Sequence, residues 1–263
     1  MPSLKDLLEV TFMGPGLVCI LVVLVAGVLS LVKRLRSRRA AAMERLTNEA
    51  TKLFMDGQLA DAKAKAEQAV ELADERRHPA ATARAHFCMG RVLARLGELP
   101  EAEAHLADAV RLDADPHRKA LAAAYLSMVL TRLQRPGEAL QRAGEAVAIH
   151  DKLKEYPEPV MRAGAGWAYV AQALALAGND KDGLPAADKA RSIFDDLEIA
   201  DGLAHAYYAK AVALRGKDNE SAFAAASEAH SRYTRLHAAN PGLYGDRLAE
   251  SRKLLDELGD AAW

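Results

Sequence analysis

A chain of 263 residues that is 51% apolar and 27% charged can bury a core and does not have the composition of a disordered protein. Aromatic residues make up only 5%, which argues against a sheet sandwich with its β-branched and aromatic strands. The formal net charge of −1 hides an asymmetry: residues 1–40 hold six Lys/Arg against two Asp/Glu, so the rest carries −5 and is not a nucleic-acid binder by charge.

After an N-terminal tail (residues 1–11), Phe12 to Val32 is 21 residues without a charge, long enough at 1.5 Å per residue to cross a hydrocarbon core of about 30 Å. It is predicted to be a transmembrane helix. A cleaved signal peptide fits less well, because Lys5 is offset by Asp6 and Glu9 and the basic residues lie on the far side. That far side, residues 33–41, carries Lys33, Arg34, Arg36, Arg38 and Arg39. By the positive-inside rule this single-pass span puts the N-terminus outside and the rest in the cytoplasm, at a cell (inner) membrane, with the five cations on anionic headgroups. Between Gly27 and Gly57 there is neither Pro nor Gly, so the membrane helix is expected to run on into the next one.

From residue 42 to 240 a pattern recurs. Small residues return at helical spacing in Ala62/Ala66/Ala69, Ala102/Leu106/Ala109, Ala139/Ala143/Ala146, Gly183/Ala187/Ala190 and Ala222/Ala226/Ala229. Each triplet follows a turn position, namely Gly57, Gly97, Gln134, Gly178 and Gly216. Seven residues before each turn stands another small residue: Ala50, Gly90, Ser127, Ala171 and Ala209. Three residues beyond that comes an aliphatic one: Leu53, Leu93, Leu130, Leu174 or Val212. Small residues at matched places in consecutive helices let the axes approach closely, so the unit is a helical hairpin. Residues 241–263 read as one more helix and a tail, with Leu248, Leu254, Leu255 and Leu258 available to cover the last open face.

This arrangement resembles the tetratricopeptide repeat (TPR) family where that family is defined: small residue, aliphatic residue, turn glycine, then alanines in the second helix. Trp167 also fills the family's tryptophan slot, which His86 and His205 take in other units. The resemblance implies an all-α, right-handed α-solenoid of about five hairpins with a C-terminal capping helix, preceded by the membrane helix. It also implies a concave groove lined by the first helices, used by a protein or peptide partner.

One row of those first helices holds Tyr125, Tyr169 and Tyr207, with Phe87, Arg91, Arg95, Met128, Arg132, Gln172 and Lys210 beside it. Aromatic, Met and Arg side chains are the types enriched at recognition hot spots. The alternative is that the tyrosines only wedge neighbouring hairpins. The family's two-carboxylate clamp for chaperone C-termini is missing, because its positions are Thr47, Thr51, Ala124 and Met128.

No nucleotide, hydrolase or metalloprotease motif occurs, and Cys19 and Cys88 form no disulfide framework. His230 and His237 are too weak a pair for a metal site. No cofactor and no enzyme activity are expected. The reading is a membrane-anchored, non-enzymatic scaffold or adaptor; a peptide or small-ligand sensor and a receptor for transported proteins stay open.

Overall fold

The computed structural model describes residues 14–152 and 158–260, with side-chain surroundings for most of them from residue 25 onward. The chain divides into two compact units, Met1–Ala42 and Met43–Trp263. In order, the helices are α1 (Gly14–Met55), α2 (Leu59–Glu71), α3 (Pro79–Leu96), α4 (Leu99–Leu112), α5 (Pro116–Arg132) and α6 (Pro136–Lys152). They continue with α7 (Pro159–Ala177), α8 (Leu184–Asp196), α9 (Ala200–Leu214), α10 (Asn219–Ala239) and α11 (Pro241–Asp260). Helix α1 has residues in both units; the second unit begins within it. There is no strand among the described residues.

Much of the predicted span Phe12–Val32, and Lys33, Arg34 and Arg36 with it, falls outside the described side chains. Among the described residues no helix is long and apolar enough to cross a membrane. The described part of that stretch has Val25, Val28 and Leu29 at 50%, 59% and 63% exposure.

The second unit is a stack of helical hairpins of TPR-like form. Proline in the first turn of α3, α4, α5, α7 and α8 presets φ where a backbone N–H has no helical partner anyway. Asp115 and Asp218 cap α5 and α10 by accepting from Arg118 N and Ser221 N. The hairpin turns pass through left-handed backbone at Gly57, Gly97, Gln134 and Gly216. In the fourth unit that conformation falls on Asp180 and not on Gly178, which stays helical. There the Asn179 amide donates to the Ala175 and Pro136 carbonyls, closing the helix end with a side chain.

The alanine triplets are the seam. Ala62, Ala66, Ala69, Ala139, Ala143, Ala146, Ala187 and Ala190 are all fully buried. The one large residue in the pattern, Leu106, is accommodated by the one glycine in the matched slot: a Cβ on Gly90 would come 2.6 Å from the Leu106 side chain. Phe194 is placed the same way, fully buried over Gly166 and Gly202, where added Cβ atoms would lie 2.6 and 2.3 Å from its ring. Volume is therefore conserved across each contact, as close packing requires. Outside the seam, neighbouring hairpins are tied by exposed ion pairs such as Arg111 to Glu75 at 2.9 Å and Arg135 to Glu103 at 2.7 Å, each worth little.

Two expectations follow. Gly90→Ala and Leu106→Ala should each destabilise, by about 1–3 and 2–5 kcal/mol. The double variant should lose less than their sum in a denaturant-based double-mutant cycle, and strict additivity would show that the two positions do not share space. The second concerns acid. His150 is 8% exposed, and burial, then the facing His117, pulls its pKa down to about 4, against a small opposing effect of Asp151. The unfolded chain takes up this proton near pH 6.5 and the folded chain only near 4, so stability is lost as pH falls from about 6.5 to about 4. His150→Gln should flatten that part of a stability-versus-pH curve; an unchanged slope would remove His150 as its source.

Candidate functional site

Successive helices carry a continuous run of rings: Phe87 of α3, Tyr125 of α5, Trp167 of α7, His205 of α9 and Tyr233 of α10. Adjacent centroids are 5.5, 6.0, 4.9 and 5.4 Å apart, three of the four contacts being edge to face, the arrangement favoured by ring quadrupoles. These rings do not occupy equivalent repeat slots. Tyr125 stands two residues before its small residue and Trp167 and His205 four, so counting slots does not find the run.

Helix α11 comes back across this inner face. Leu254 and Leu258 pack with Ala211, Leu214, Ala222 and Ala226 of the last hairpin, so the C-terminal helix does cover that hairpin. Its N-terminal end goes further. Leu243 and Tyr244 join Phe54, Val92, Ala204 and Tyr233 in one buried cluster, which brings the last helix onto the first hairpin.

The joint is a tight one. Asn240 donates through its amide to the Met55 carbonyl at 2.8 Å, while its amide oxygen accepts from Leu243 N and caps α11. At Gly57, with φ of +77°, a Cβ would lie 2.2 Å from Asn240 Oδ1, and one on Gly242 would lie 2.4 Å from the Gly57 carbonyl oxygen. Only glycine satisfies both the left-handed turn and this approach.

Between α11 and the inner face lie two spaces. One is a cavity of about 60 Å³ lined by Phe54, Arg91, Arg95, Tyr125, Arg132, Trp167, Asp201, His205, Tyr244 and Arg247, with a few neighbours. The other is a larger, more open space of about 690 Å³ along the other part of α11, whose walls include Met128, Thr131, Gln134, Leu174, Tyr208, Arg215, Arg247, Lys253 and Glu257.

The electrostatics of the cavity are set by desolvated arginines. The Arg91 guanidinium lies 4.6 Å over Phe54, 5.5 Å over Phe87 and 5.1 Å over Tyr125. Arg95 lies 5.7 Å over Tyr244. Burial, and then the nearby Arg247, pulls the Arg95 pKa down to about 10. Burial opposes the charge of Arg247 too, but Glu250 and Tyr233 more than offset it, and Arg247 donates to Glu250 at 2.6 Å. Arg132 donates to the Ala94 carbonyl at 2.7 Å and lies 3.6 Å from Glu250. Burial raises Asp201, against its bond from Gly202 N and the attraction of Arg95.

Of the residues singled out from the sequence, Arg91, Arg95, Tyr125, Met128 and Arg132 line the cavity, and Phe87 meets Tyr125 edge to face. The others lie elsewhere. Tyr169 donates to Asp151 at 2.9 Å and is bonded by Lys189, in the seam of α6, α7 and α8. Arg232 of α10 covers Tyr207 at 5.1 Å, and Lys210 pairs with Asp188 at 2.8 Å. Gln172 is half-buried and lines neither space. Asp201, Tyr244 and Arg247 were not found from sequence; the signal for Arg247 was an arginine on the apolar face of the final helix. Among the described residues no group of three or more metal-ligating side chains is assembled, and His230 faces Ser251 at 3.1 Å.

The architecture defines the class, a TPR-like helical-repeat protein. No family model and no curated protein matches the sequence. Solved structures are similar to it in fold. The Rap protein complexed with competence and sporulation factor superposes with a TM-score of 0.55 at 16% identity, over 83% of this chain and 66% of that one. BtubC from P. vanneervenii superposes at 0.52, also with 16% identity, over 84% of each chain.

The joint yields a prediction. Asn240→Ala removes the bond to Met55 and the cap of α11, at a cost of about 1–2 kcal/mol. Hydrogen exchange over residues 241–260 should speed up by about tenfold or more, with the amides of α5 and α7 unaffected. Equal acceleration everywhere would mean that α11 opens only with the whole unit.

Proposed function

We propose that this protein is a membrane-anchored, non-enzymatic scaffold that holds a protein or peptide partner in the open space beside α11, at the cytoplasmic face of a membrane. The observation that carries the reading is the channel of about 690 Å³: α11 fills only part of the inner face and leaves room for an extended segment between itself and α5, α7 and α9. Its walls mix apolar side chains with Arg215, Arg247, Lys253, Glu250 and Glu257, the polar-and-apolar lining of a peptide groove. The similar Rap structure is a complex with competence and sporulation factor, a use of the fold that supports the reading. The anchor rests on the uncharged stretch Phe12–Val32 and on the five cations that follow. Exposed Val25, Val28 and Leu29 suit a lipid contact, and Arg38 and Arg39 with Lys33, Arg34 and Arg36 suit an anionic surface.

A photo-crosslinking residue at Thr131 or Leu174, both in the channel wall, should capture the partner, whereas one at Glu101 on the exposed side of α4 should not. Equal capture from all three positions would remove the channel as the docking site. Protease added to sealed spheroplasts should leave the repeat unit intact, and digestion of residues 43–263 would overturn the cytoplasmic placement.

A further inference from the structure

The small cavity between α3 and the N-terminal end of α11 adjoins the open channel, sharing Met128, Arg132, His205 and Arg247 with it, but Arg91, Arg95, Trp167 and Asp201 line the cavity alone. We propose that it binds the carboxylate of a small monocarboxylate ligand with an apolar or aromatic body. Four arginines face a space of about 60 Å³: Arg91, Arg95, Arg132 and Arg247. Against them stand Asp201 in the wall and Glu250 paired to Arg132 and Arg247, which leaves a surplus of two positive charges. Burying like charges without partners is costly, and the buried atoms Arg91 Nε and Arg95 Nη1 have no hydrogen-bond partner. An oxyanion there would satisfy those donors and relieve the repulsion between Arg95 and Arg247.

Size and the character of the wall narrow the ligand. A volume of about 60 Å³ takes the carboxylate and the first atoms of the stem, and because the space is partly open the apolar body extends out of it along the aromatic wall. Charge alone does not separate a monocarboxylate from phosphate; the separation rests on the apolar body, which phosphate lacks and which the aromatic wall receives. The remaining wall is aromatic, with Tyr125, Trp167 and Tyr244 able to cover a flat or aliphatic body. Because Tyr244 and Arg247 come from α11 and Arg91 and Arg95 from α3, the bound ligand would bridge the last helix to the second hairpin.

Thermal unfolding of the full chain in mild detergent, at fixed ionic strength, tests this with benzoate and 3-phenylpropionate as probes against chloride and inorganic phosphate. The two carboxylates should raise the midpoint saturably, with half-saturation below about 1 mM, and chloride and phosphate should not. Arg95→Gln should fold, since it deletes a desolvated charge, and should weaken the carboxylate effect about tenfold or more. Arg91→Gln should do the same and serves if Arg95→Gln does not fold. No saturable shift with either carboxylate, an equal shift with chloride or phosphate, or unchanged half-saturation in the arginine variants would overturn the proposal. Loss of partner capture in the channel, by contrast, would leave this outcome untouched.

Discussion

Close approach of paired helices, made possible by alanine and glycine at matched positions, is the constraint on which the second unit rests. An alanine seam gains little apolar area per residue, so its stability has to come from many contacts at high packing density. This explains why deviations occur in compensating sets. Leu106 appears where Gly90 faces it, and Phe194 where Gly166 and Gly202 leave its ring room. It also fits the low aromatic content: a few rings fill glycine gaps in the seam, as Phe194 does, and Phe87, Tyr125, Trp167, His205 and Tyr233 touch in series on the inner face.

That ring series supports the polar chemistry above it. Guanidinium groups keep their charge when desolvated because their pKa is so high, and aromatic faces offer them partial compensation. Arg91 over three rings and Arg95 over Tyr244 are held in this way in a region with few carboxylates. The inner face therefore combines preorganised cations with an apolar floor. A solenoid end helix that only capped the last hairpin would leave this face open; α11, fixed by Asn240 to Met55, encloses part of it and leaves the rest accessible.

The repeat unit was legible in the sequence because its signal is periodic and local. A small residue seven before the turn, and a triplet spaced four and three just after it, report helix pairing directly, and the fully buried triplets occupy the expected places. Helix ends were less legible where side chains replaced glycine. Asp180 in place of Gly178 at the fourth turn depends on Asn179 reaching Pro136 of an earlier helix, which no local pattern encodes.

The sequence by itself determined the helical hairpins, their seams, the uncharged N-terminal stretch and the store of Arg and aromatic residues on the first helices. Only the tertiary structure decided which of those side chains share a space. Tyr125, Tyr169 and Tyr207 hold equivalent repeat slots, yet one lines the cavity, one bonds Asp151 in the seam of α6, α7 and α8 and one lies under Arg232. Slot equivalence fixes position along a helix, whereas the neighbour each side chain meets depends on the superhelical rotation between hairpins. The contact that encloses the cavity, Asn240 to Met55, joins residues 185 apart, and a separation of that kind leaves no periodic trace for a sequence to show.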